Sequence, residues 1–537
     1  MGPGSFLEPC RVFVPIRSTY WHLQLPVTVS ETAKKNGSTS VHLEAPTASD
    51  SSRWVASRVT TQADFARMNV DVAISFGKAS FAAGSLALPQ ISIPGSLIPS
   101  IPGVTEPLSN NNIPLPVLQL PTPPLDSPPF TPSNIRPKKI GYFWTAAGDN
   151  KHKGKRRRIL DDDTFGTLLW ITDVPTSGNS PHHLGPSLDG KTLIGGGLLS
   201  LLKTQDTAFY FDTTNPYRPT FKKSNRALLA SITDEIRAKP DGGFYITYMG
   251  SAVGTSPGRL VETDSNFNII HQWPEDTEGL LNVLGEQFSP HGLTVDFERQ
   301  IGLTSDFVVP LSILKPTAGV QYANTLRLWN LATHKIISTI TIPNGGGIQD
   351  VKFIPGNKEA AAIATAVRLG QVWIIYPYRF DQNGKQGVAE LLYDLGEGAR
   401  QTVAIYSDIT QDGRFAYFTE TLNNHISALD ISDLNNVKRL DDPNKSQGIV
   451  GPHYIKVTPD QKHLLVTDYF VQAGDISIIN TPADFKAQYI DILPNGSLHF
   501  NRSIDFNGAA VYRGRGGAKP HSAVVFDLTD PKHPKYY

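Results

Sequence analysis

The sequence contains a single cysteine, Cys10, among 537 residues. One thiol cannot form an internal disulfide framework or a cysteine-rich metal site, so both are excluded. The sequence also lacks any apolar run that approaches the roughly 18 residues of a membrane-spanning helix. Its first residues, MGPGSFLEPCRVFVP, do not show the basic-then-apolar order of a signal peptide. We therefore expect a cytoplasmic protein without membrane insertion.

A net charge is absent as well, because 49 Lys and Arg residues balance 49 Asp and Glu residues. No global field favours nucleic acid or an acidic membrane surface as a partner. One basic run, Lys151 to Arg158 (KHKGKRRR), has two interpretations. It is a nuclear localisation signal or phosphate-binding patch, or it is a solvated loop whose charge is offset by Asp161, Asp162 and Asp163. We favour the solvated loop.

Glycine and proline are abundant, with 45 and 41 residues, and only 18% of residues are charged. This composition is typical of a loop-rich β protein. Residues 1–85 contain apolar segments such as RVFVPI and VDVAISF, and we interpret them as an extension with a few strands packed on the main domain. Residues 86–137 are dense in proline, which favours extended backbone, and we interpret them as a linker or a surface arm.

From residue 138 onward the chain repeats one pattern, and its clearest copy is GPHYIKVTPDQKHLLVTDYF, residues 451–470. A Gly-Pro turn leads to His453, and an alternating run, Tyr454 to Val457, follows as a half-buried strand. A second turn precedes another strand, Leu464 to Val466. Two antiparallel strands joined by such a turn form the inner half of a propeller blade.

Six further copies share this turn, strand, turn and strand order. They are SPHHLGPSLDGKTLIGG from Ser180, TDEIRAKPDGGFYITYM from Thr233, SPHGLTVDFERQIGLTS from Ser289, IQDVKFIPGNKEAAAIA from Ile348, AIYSDITQDGRFAYFTE from Ala404 and, with a degraded second strand, KPHSAVVFDLTD from Lys519. Seven copies roughly 50 to 70 residues apart have the spacing of blades. The sequence therefore predicts an all-β, seven-bladed β-propeller over residues 138–537, with a strand from residues 140–175 completing the last blade.

The first strands of all blades run the same way along the central channel, so the residues at their starts converge. Four of the seven copies place a Pro-His pair there, and the histidines are His182 or His183, His291, His453 and His521. Imidazole suits copper, iron, zinc or nickel, so these residues predict a mononuclear site whose affinity falls as the pH drops through about 6.5. The alternative is that Pro-His is only a turn into a strand, with each imidazole bonded to a neighbouring carbonyl.

Other copies begin with acidic or neutral residues: Asp234 with Glu235, Asp350, and Ser407 with Asp408. A carboxylate near the channel orients a ligating imidazole or serves as a general base, which makes Asp234, Glu235 and Asp408 the candidate catalytic residues. The alternative is that each carboxylate only caps backbone amides at a turn. Weaker channel candidates are Arg237, Tyr248, Glu420, Asp468 and Arg513.

From about Ile140 to the end, the sequence resembles the selenium-binding protein / methanethiol oxidase family. The resemblance rests on the order of SPHHLG, GGFYITYMG, TLRLWNLATHKIISTITI with IQDVKFIPGN, SDITQDGRFAYFTETLNNHISALDISD and GPHYIKVTPDQKHLLVTDYF. It implies a seven-bladed propeller, a copper centre held by channel histidines, and oxidation of methanethiol to formaldehyde, hydrogen sulfide and hydrogen peroxide. The positions that it implies as copper ligands are His182, His183, His291, His453 and His521.

The sequence departs from that family at two places. Where the family has a His-Thr-x-His-Cys type segment, this chain has Thr233-Asp234-Glu235-Ile236-Arg237, and the family's N-terminal cysteine cluster is reduced to Cys10. A selenium or thiol adduct on a family-type cysteine is therefore not expected.

The predicted function is that of a metal-dependent, oxidase-like enzyme that acts on a small thiol or other small metabolite at a histidine-lined site in the channel, with O2 as a candidate co-substrate. Copper is the metal that the resemblance implies, and another transition metal is the alternative. One alternative is a metal-dependent enzyme of specialised metabolism with a different substrate. The other is a non-catalytic propeller scaffold that binds a protein or metabolite partner.

Overall fold

The structure is a computed structural model, and the residues that it describes form the blades of a propeller and several N-terminal strands. Outside those N-terminal strands, the described ranges are 136–147, 153–174, 181–198, 206–274, 287–310, 320–401, 405–469, 481–507 and 517–537. No helix in these ranges is both long enough and apolar enough to cross a membrane.

Two hairpins lie near the N-terminus. Strand β1 (Arg11–Ile16) pairs with β2 (Thr19–Gln24), and β3 (Val29–Ala33) pairs with β4 (Thr39–Leu43). The RVFVPI segment is β1, whereas VDVAISF and the proline-rich residues 86–135 lie outside the described residues. The division into 1–85, 86–137 and 138–537 remains a prediction.

Three strands precede the first repeat, and three blades follow them. The strands are β5 (Lys139–Ala147), β6 (Lys153–Ile159) and β7 (Leu168–Asp173). The first three blades are antiparallel sheets of four strands each: β8 (Pro181–Pro186), β9 (Thr192–Gly197), β10 (Ala208–Asp212) and β11 (Thr220–Asn225); β12 (Ala230–Ala238), β13 (Phe244–Ser251), β14 (Arg259–Thr263) and β15 (Ile269–Trp273); β16 (Pro290–Asp296), β17 (Ile301–Asp306), β18 (Thr325–Asn330) and β19 (Lys335–Thr341).

The next three blades have the same four-stranded plan. Their strands are β20 (Ile348–Phe353), β21 (Ala362–Ala366), β22 (Gln371–Phe380) and β23 (Gln386–Asp394); β24 (Ser407–Ile409), β25 (Phe415–Glu420), β26 (His425–Asp430) and β27 (Lys438–Arg439); β28 (Ile455–Val457), β29 (His463–Thr467), β30 (Lys486–Ile492) and β31 (Leu498–Asp505). Short 3-10 turns lie at Asp162–Thr164, Val367–Leu369 and Ala399–Gln401.

The seventh blade closes the ring with strands from both ends of the propeller. Strand β32 (Ala518–Asp527) pairs with β5 over its whole length, β6 and β7 follow outward, and β33 (Lys535–Tyr536) lies on the other side of β32. The seven-bladed all-β prediction is therefore confirmed. The last repeat copy has a degraded second strand because β5 takes that place, and three strands, rather than the one predicted, complete the blade.

The basic run was wrongly interpreted as a loop. Residues Lys153–Ile159 form β6, a central strand of the closing blade between β5 and β7. Arg158 in this strand is buried, and its Nη1 donates to the carbonyl of Gly166 at 2.8 Å. Burial lowers the pKa of Arg158 to about 10, with Asp505 opposing the shift. The alternation of apolar and polar positions that marks a strand is absent here, which explains the misinterpretation.

The hydrophobic core consists of clusters between successive blades. Trp144 of β5, fully buried between the seventh and first blades, donates from Nε1 to the carbonyl of Gly196 at 2.7 Å. A Cβ at Gly195 would lie 2.9 Å from the Trp144 ring, so glycine is required for this close approach. Packing between blades fixes the first strands around the channel, where the predicted site residues lie.

Candidate metal centre

All five predicted histidine ligands lie at the starts of first strands. His182 and His183 lie on β8, His291 on β16 and His521 on β32, and His453 precedes β28 by two residues. Each is at most 2% exposed. We call His182, His183, His291, His453 and His521 the histidine cluster.

Five of the first strands carry bulges near their starts. The ladder register shifts between Pro181 and Leu184, Thr233 and Ile236, Pro290 and Leu293, Ile348 and Val351, and Pro520 and Ser522. A bulge places two residues opposite one and bends the strand locally, which redirects side chains. Three of the four Pro-His pairs therefore lie where the regular strand alternation is interrupted.

A repeated hydrogen bond between neighbouring blades holds the strand starts. The hydroxyls of Thr247 and Thr419 donate to the carbonyls of His291 and His453, each at 2.6 Å. Ser522 donates to the carbonyl of His182 at 2.6 Å, and Thr467 donates to that of His521. Sequence reasoning missed these residues, although Thr247, Thr419 and Thr467 share one place in the second strand of their copies. That shared position was the available signal.

The imidazoles pack closely. The rings of His182 and His183 stack with centroids 4.6 Å apart and planes 5° apart. His521 lies 4.6 Å from His182 and 4.8 Å from His453 by ring centroids, and His291 lies 5.8 Å from His182, edge to face. The chain thus brings together imidazoles from four blades.

Asp234 on β12 joins the histidine cluster and is fully buried. Its Oδ1 lies 2.9 Å from His182 Nδ1 and 3.5 Å from His291 Nε2. Two groups have ligand atoms that all lie within 4.8 Å of one another: His182 with Asp234 and His291, and His182 with His183 and His521. His182 belongs to both groups.

The buried nitrogens fit a metal ligand set. His182 Nδ1 lies 2.7 Å from the carbonyl of Thr233, so it is placed to donate there, which leaves Nε2 as the lone-pair nitrogen. Within the described residues, His182 Nε2, His291 Nδ1 and His183 Nδ1 have no hydrogen-bond partner. A buried nitrogen without a partner costs free energy, which a metal ion would offset. The residues therefore fit a transition metal.

Tyr406, which the sequence analysis did not single out, lies between two of the imidazoles. Its Oη is 2.9 Å from His183 Nε2 and 3.1 Å from His291 Nε2. It immediately precedes Ser407 of β24 in a copy that lacks the Pro-His pair, so no pattern marked it. Its position at the start of a first strand was the only signal.

Burial controls the protonation of the histidine cluster. Loss of solvation lowers the pKa of His183 and His453 well below the usual imidazole value, helped by neighbouring imidazoles, and lowers that of His291 against the opposing Asp234. Burial also raises the pKa of the Tyr406 phenol well above its usual value, and Asp234 adds to this. His183, His291 and His453 are therefore held toward the neutral form, which is the form that binds metals. For these three histidines, protonation occurs at a lower pH than the value of about 6.5 predicted from the sequence.

The other predicted acids lie further along the strands. Glu235 has Oε2 3.5 Å from His183 Nδ1, and it also pairs with Arg237. Asp350 accepts hydrogen bonds from the amide and hydroxyl of Ser407, both at 2.8 Å. Asp408 accepts from the amide of Val457 at 2.7 Å and lines a cavity outside the histidine cluster. Asp350 and Asp408 thus each accept a hydrogen bond from a backbone amide.

The weaker candidates are spread over the propeller. Arg237 lines the same cavity as Asp408. Tyr248 contacts Thr207, Glu420 accepts from Ser427 and Asn423, and Asp468 accepts from the amide of Asp484. Arg513 lies outside the described residues.

Comparison with known proteins supports the fold. No protein-family model and no curated protein sequence matches the chain. A hypothetical selenium-binding protein from Sulfolobus tokodaii matches with a TM-score of 0.56 and 16% identity, covering 73% of this chain and 94% of that one. The periplasmic gluconolactonase of Pseudomonas aeruginosa matches with a TM-score of 0.50 and 12% identity, covering 74% and 99%. At such identities the likeness is one of propeller fold.

Proposed function

We propose that this protein is a metal-dependent oxidoreductase that acts on a small molecule at the histidine cluster. The observation that carries the proposal is the convergence of five buried imidazoles with the carboxylate of Asp234. A Pro-His turn used only for structure would not require the rings to share one place. Copper is the proposed metal because of the sequence resemblance to the methanethiol oxidase family.

Two sets of residues would hold the metal: His182, His291 and Asp234, or His182, His183 and His521. When bound, copper would supply one-electron redox chemistry or polarise a substrate as a Lewis acid. In the set without Asp234, that carboxylate and the Thr233 carbonyl would orient the His182 ring through Nδ1. This second contact fixes the tautomer and makes the imidazole more basic as a ligand.

Tyr406 supplies the proton in this proposal. Its phenol stays protonated at neutral pH because burial raises its pKa, and Oη lies between His183 and His291. A phenol so placed moves a proton to or from a substrate bound beside the imidazoles. The buried surroundings exclude bulk water and strengthen such interactions.

The proposed substrate is a small thiol, with methanethiol as the first candidate. In that reaction one thiol, one O2 and one water yield formaldehyde, hydrogen sulfide and hydrogen peroxide, so the carbon loses the two electrons that O2 gains. The segment Thr233–Arg237 departs from the family pattern and contributes a carboxylate, so another small substrate of specialised metabolism is the second candidate. We place the activity in the cytoplasm.

The test measures bound metal by elemental analysis in protein expressed with copper and purified without chelator. We expect about one copper per chain in the wild type and less than about 0.2 in His182→Ala, because His182 belongs to both ligand sets. His533→Ala is the matched control, since that imidazole side chain is 81% exposed. Equal copper in wild type and His182→Ala would contradict the proposal.

Incubation of copper-loaded protein with methanethiol, followed by oxygen uptake and peroxide release, separates the remaining possibilities. Turnover that is lost in His182→Ala supports the thiol as substrate. Tightly bound copper without turnover indicates a different substrate. No metal and no turnover, with capture of a protein or metabolite partner that survives His291→Ala with His453→Ala, would favour the scaffold.

A further inference from the structure

The first strands enclose a second site toward their C-terminal ends, outside the histidine cluster. A cavity of about 450 Å³ is lined there by residues from all seven blades. Most of its wall is apolar, with Leu184, Ile236, Phe353 and Val524 among the lining side chains. Three cations also line it: Arg237, Lys352 and Lys456. We call this site the cationic cavity.

Two of the three cations are closely paired. Lys352 Nζ lies 3.0 Å from both carboxylate oxygens of Asp350, and Arg237 Nη1 donates to Glu235 and, at 3.0 Å, to the carbonyl of Ile236. Both hydrogen bonds of Arg237 use one nitrogen. The guanidinium has five donors in a planar fork, so it retains capacity for a further acceptor.

The charge of Lys456 is balanced far less by a neighbouring carboxylate. Its Nζ lies 3.9 Å from Asp408 Oδ2, beyond hydrogen-bond distance, and that oxygen accepts the amide of Val457 at 2.7 Å. Its side chain is only 18% exposed. Burial lowers the pKa of Lys456, and the charges of Arg237 and Lys352 lower it further against Asp408. An added anion would therefore stabilise this ammonium.

We propose that the cationic cavity binds a small organic carboxylate. Its anionic group pairs with Lys456 and the open edge of Arg237, and its apolar body packs against Leu184, Ile236 and Phe353. A cavity with a few polar groups and apolar walls suits an amphipathic ligand better than an inorganic ion. Tyr454 lines the cavity and packs on His183 with ring centroids 5.2 Å apart, so it stands between the two sites. The proposal does not require a bound metal.

The test uses isothermal titration calorimetry on the full chain with three probes: 2-naphthoate, the uncharged 2-naphthylmethanol and inorganic phosphate. We expect 2-naphthoate to bind about tenfold or more tightly than the alcohol, because a hydrogen bond to a charged group contributes that much. Phosphate lacks an apolar body and should bind far more weakly than 2-naphthoate. Equal affinity for the acid and the alcohol would overturn the proposal, as would phosphate binding as tightly as 2-naphthoate.

Variants locate the binding. Lys456→Met should weaken 2-naphthoate by about tenfold and leave the alcohol unchanged, whereas Lys456→Arg should retain the acid because it keeps the charge. Lys462→Met is the matched control, since Lys462 is exposed in the turn of the same blade. Full 2-naphthoate affinity in Lys456→Met would overturn the proposal. The wild-type comparison of acid with alcohol decides the question if Lys456→Met fails to fold.

Discussion

The histidine cluster and the cationic cavity are built by the same first strands but differ in charge and solvation. The imidazoles of the cluster are at most 2% exposed. In the cavity, the side chains of Lys352 and Arg237 are 13% and 23% exposed. Each of these cations lies beside a carboxylate, Asp350 for Lys352 and Glu235 for Arg237. The first strands thus present two different environments, one of buried imidazoles and one of partly exposed cations.

On several first strands, a residue of the candidate metal centre is followed three positions later by a residue that lines the cationic cavity. Asp234 and Arg237 share β12, His291 and Thr294 share β16, and His521 and Val524 share β32. In a regular strand, residues three apart point to opposite faces. The bulges near the starts of these strands add one residue, so both members of each pair reach the channel.

The largest expected effect comes from a change that damages both regions together. Trp144→Ala leaves a cavity in the interface between the closing blade and the first blade. It also removes the hydrogen bond from Trp144 Nε1 to the Gly196 carbonyl. We expect a loss of about 3 to 5 kcal/mol in the free energy of unfolding, measured by urea denaturation. Phe380→Ala is the control, because Phe380 is 64% exposed. A loss below about 1 kcal/mol would show that ring closure does not depend on this packing.

A second change should affect the histidine cluster alone. Tyr406→Phe removes the hydroxyl between His183 and His291, and we expect metal-dependent turnover to fall about 100-fold while copper content stays unchanged. Steady-state oxygen uptake measures the first quantity, and elemental analysis the second. Tyr378→Phe, at a partly exposed ring, is the control.

The affinity for 2-naphthoate should be unchanged in Tyr406→Phe, because Tyr406 does not line the cationic cavity. An equal loss in both regions would show that the two sites act as one. Unchanged turnover in Tyr406→Phe would show that Tyr406 does not transfer the proton.

A third change tests the hydrogen bonds between blades. Thr467→Val removes the hydrogen bond that the buried Thr467 hydroxyl donates to the His521 carbonyl, so we expect a loss of up to about 1.5 kcal/mol in stability. Thr341→Val, at an exposed position of β19, is the control. Thermal unfolding measures the stability. Weaker copper binding with unchanged 2-naphthoate binding would locate the effect at the histidine end.

The sequence was sufficient to predict the propeller and the five histidines, because turn residues and strand alternation recur in every copy. It was not sufficient for Tyr406, whose copy lacks the Pro-His pair. The bulges were also missed, since an extra residue leaves no mark in a short strand. In the sequence, Lys352 and Lys456 look like ordinary residues on the polar face of a strand. Each nevertheless follows the residue at the start of its strand by three positions, and Arg237 has the same spacing. Only the fold shows that these three meet.

The smallest predicted effect concerns an ion pair at the cavity end. Asp460 lies one residue before Gln461, a lining residue of the cationic cavity, and accepts from Lys139 of β5 at 2.6 Å. It also contacts His463 Nδ1 at 3.2 Å and accepts hydrogen bonds from the Thr458 hydroxyl and, at 3.1 Å, from the amide of Lys462. Asp460→Asn should cost roughly 1 kcal/mol of stability at pH 7, since solvent screens a partly exposed pair. Urea denaturation of both proteins at several pH values measures this difference.

The pH dependence of that difference follows from the pKa of Asp460. Burial alone would raise it, but hydrogen bonds from His463, Lys139 and Thr458 lower it well below its usual value. A carboxyl group with a lowered folded pKa stabilises the fold above the unfolded pKa of about 4, and this contribution is lost as the pH falls toward the folded value. The gap between wild type and Asp460→Asn should therefore be present above about pH 5 and shrink below about 4. Glu298→Gln, at an exposed carboxylate, should show no such gap. A gap that widens in acid would mean that Asp460 is stabilised in its protonated form, contrary to its contacts.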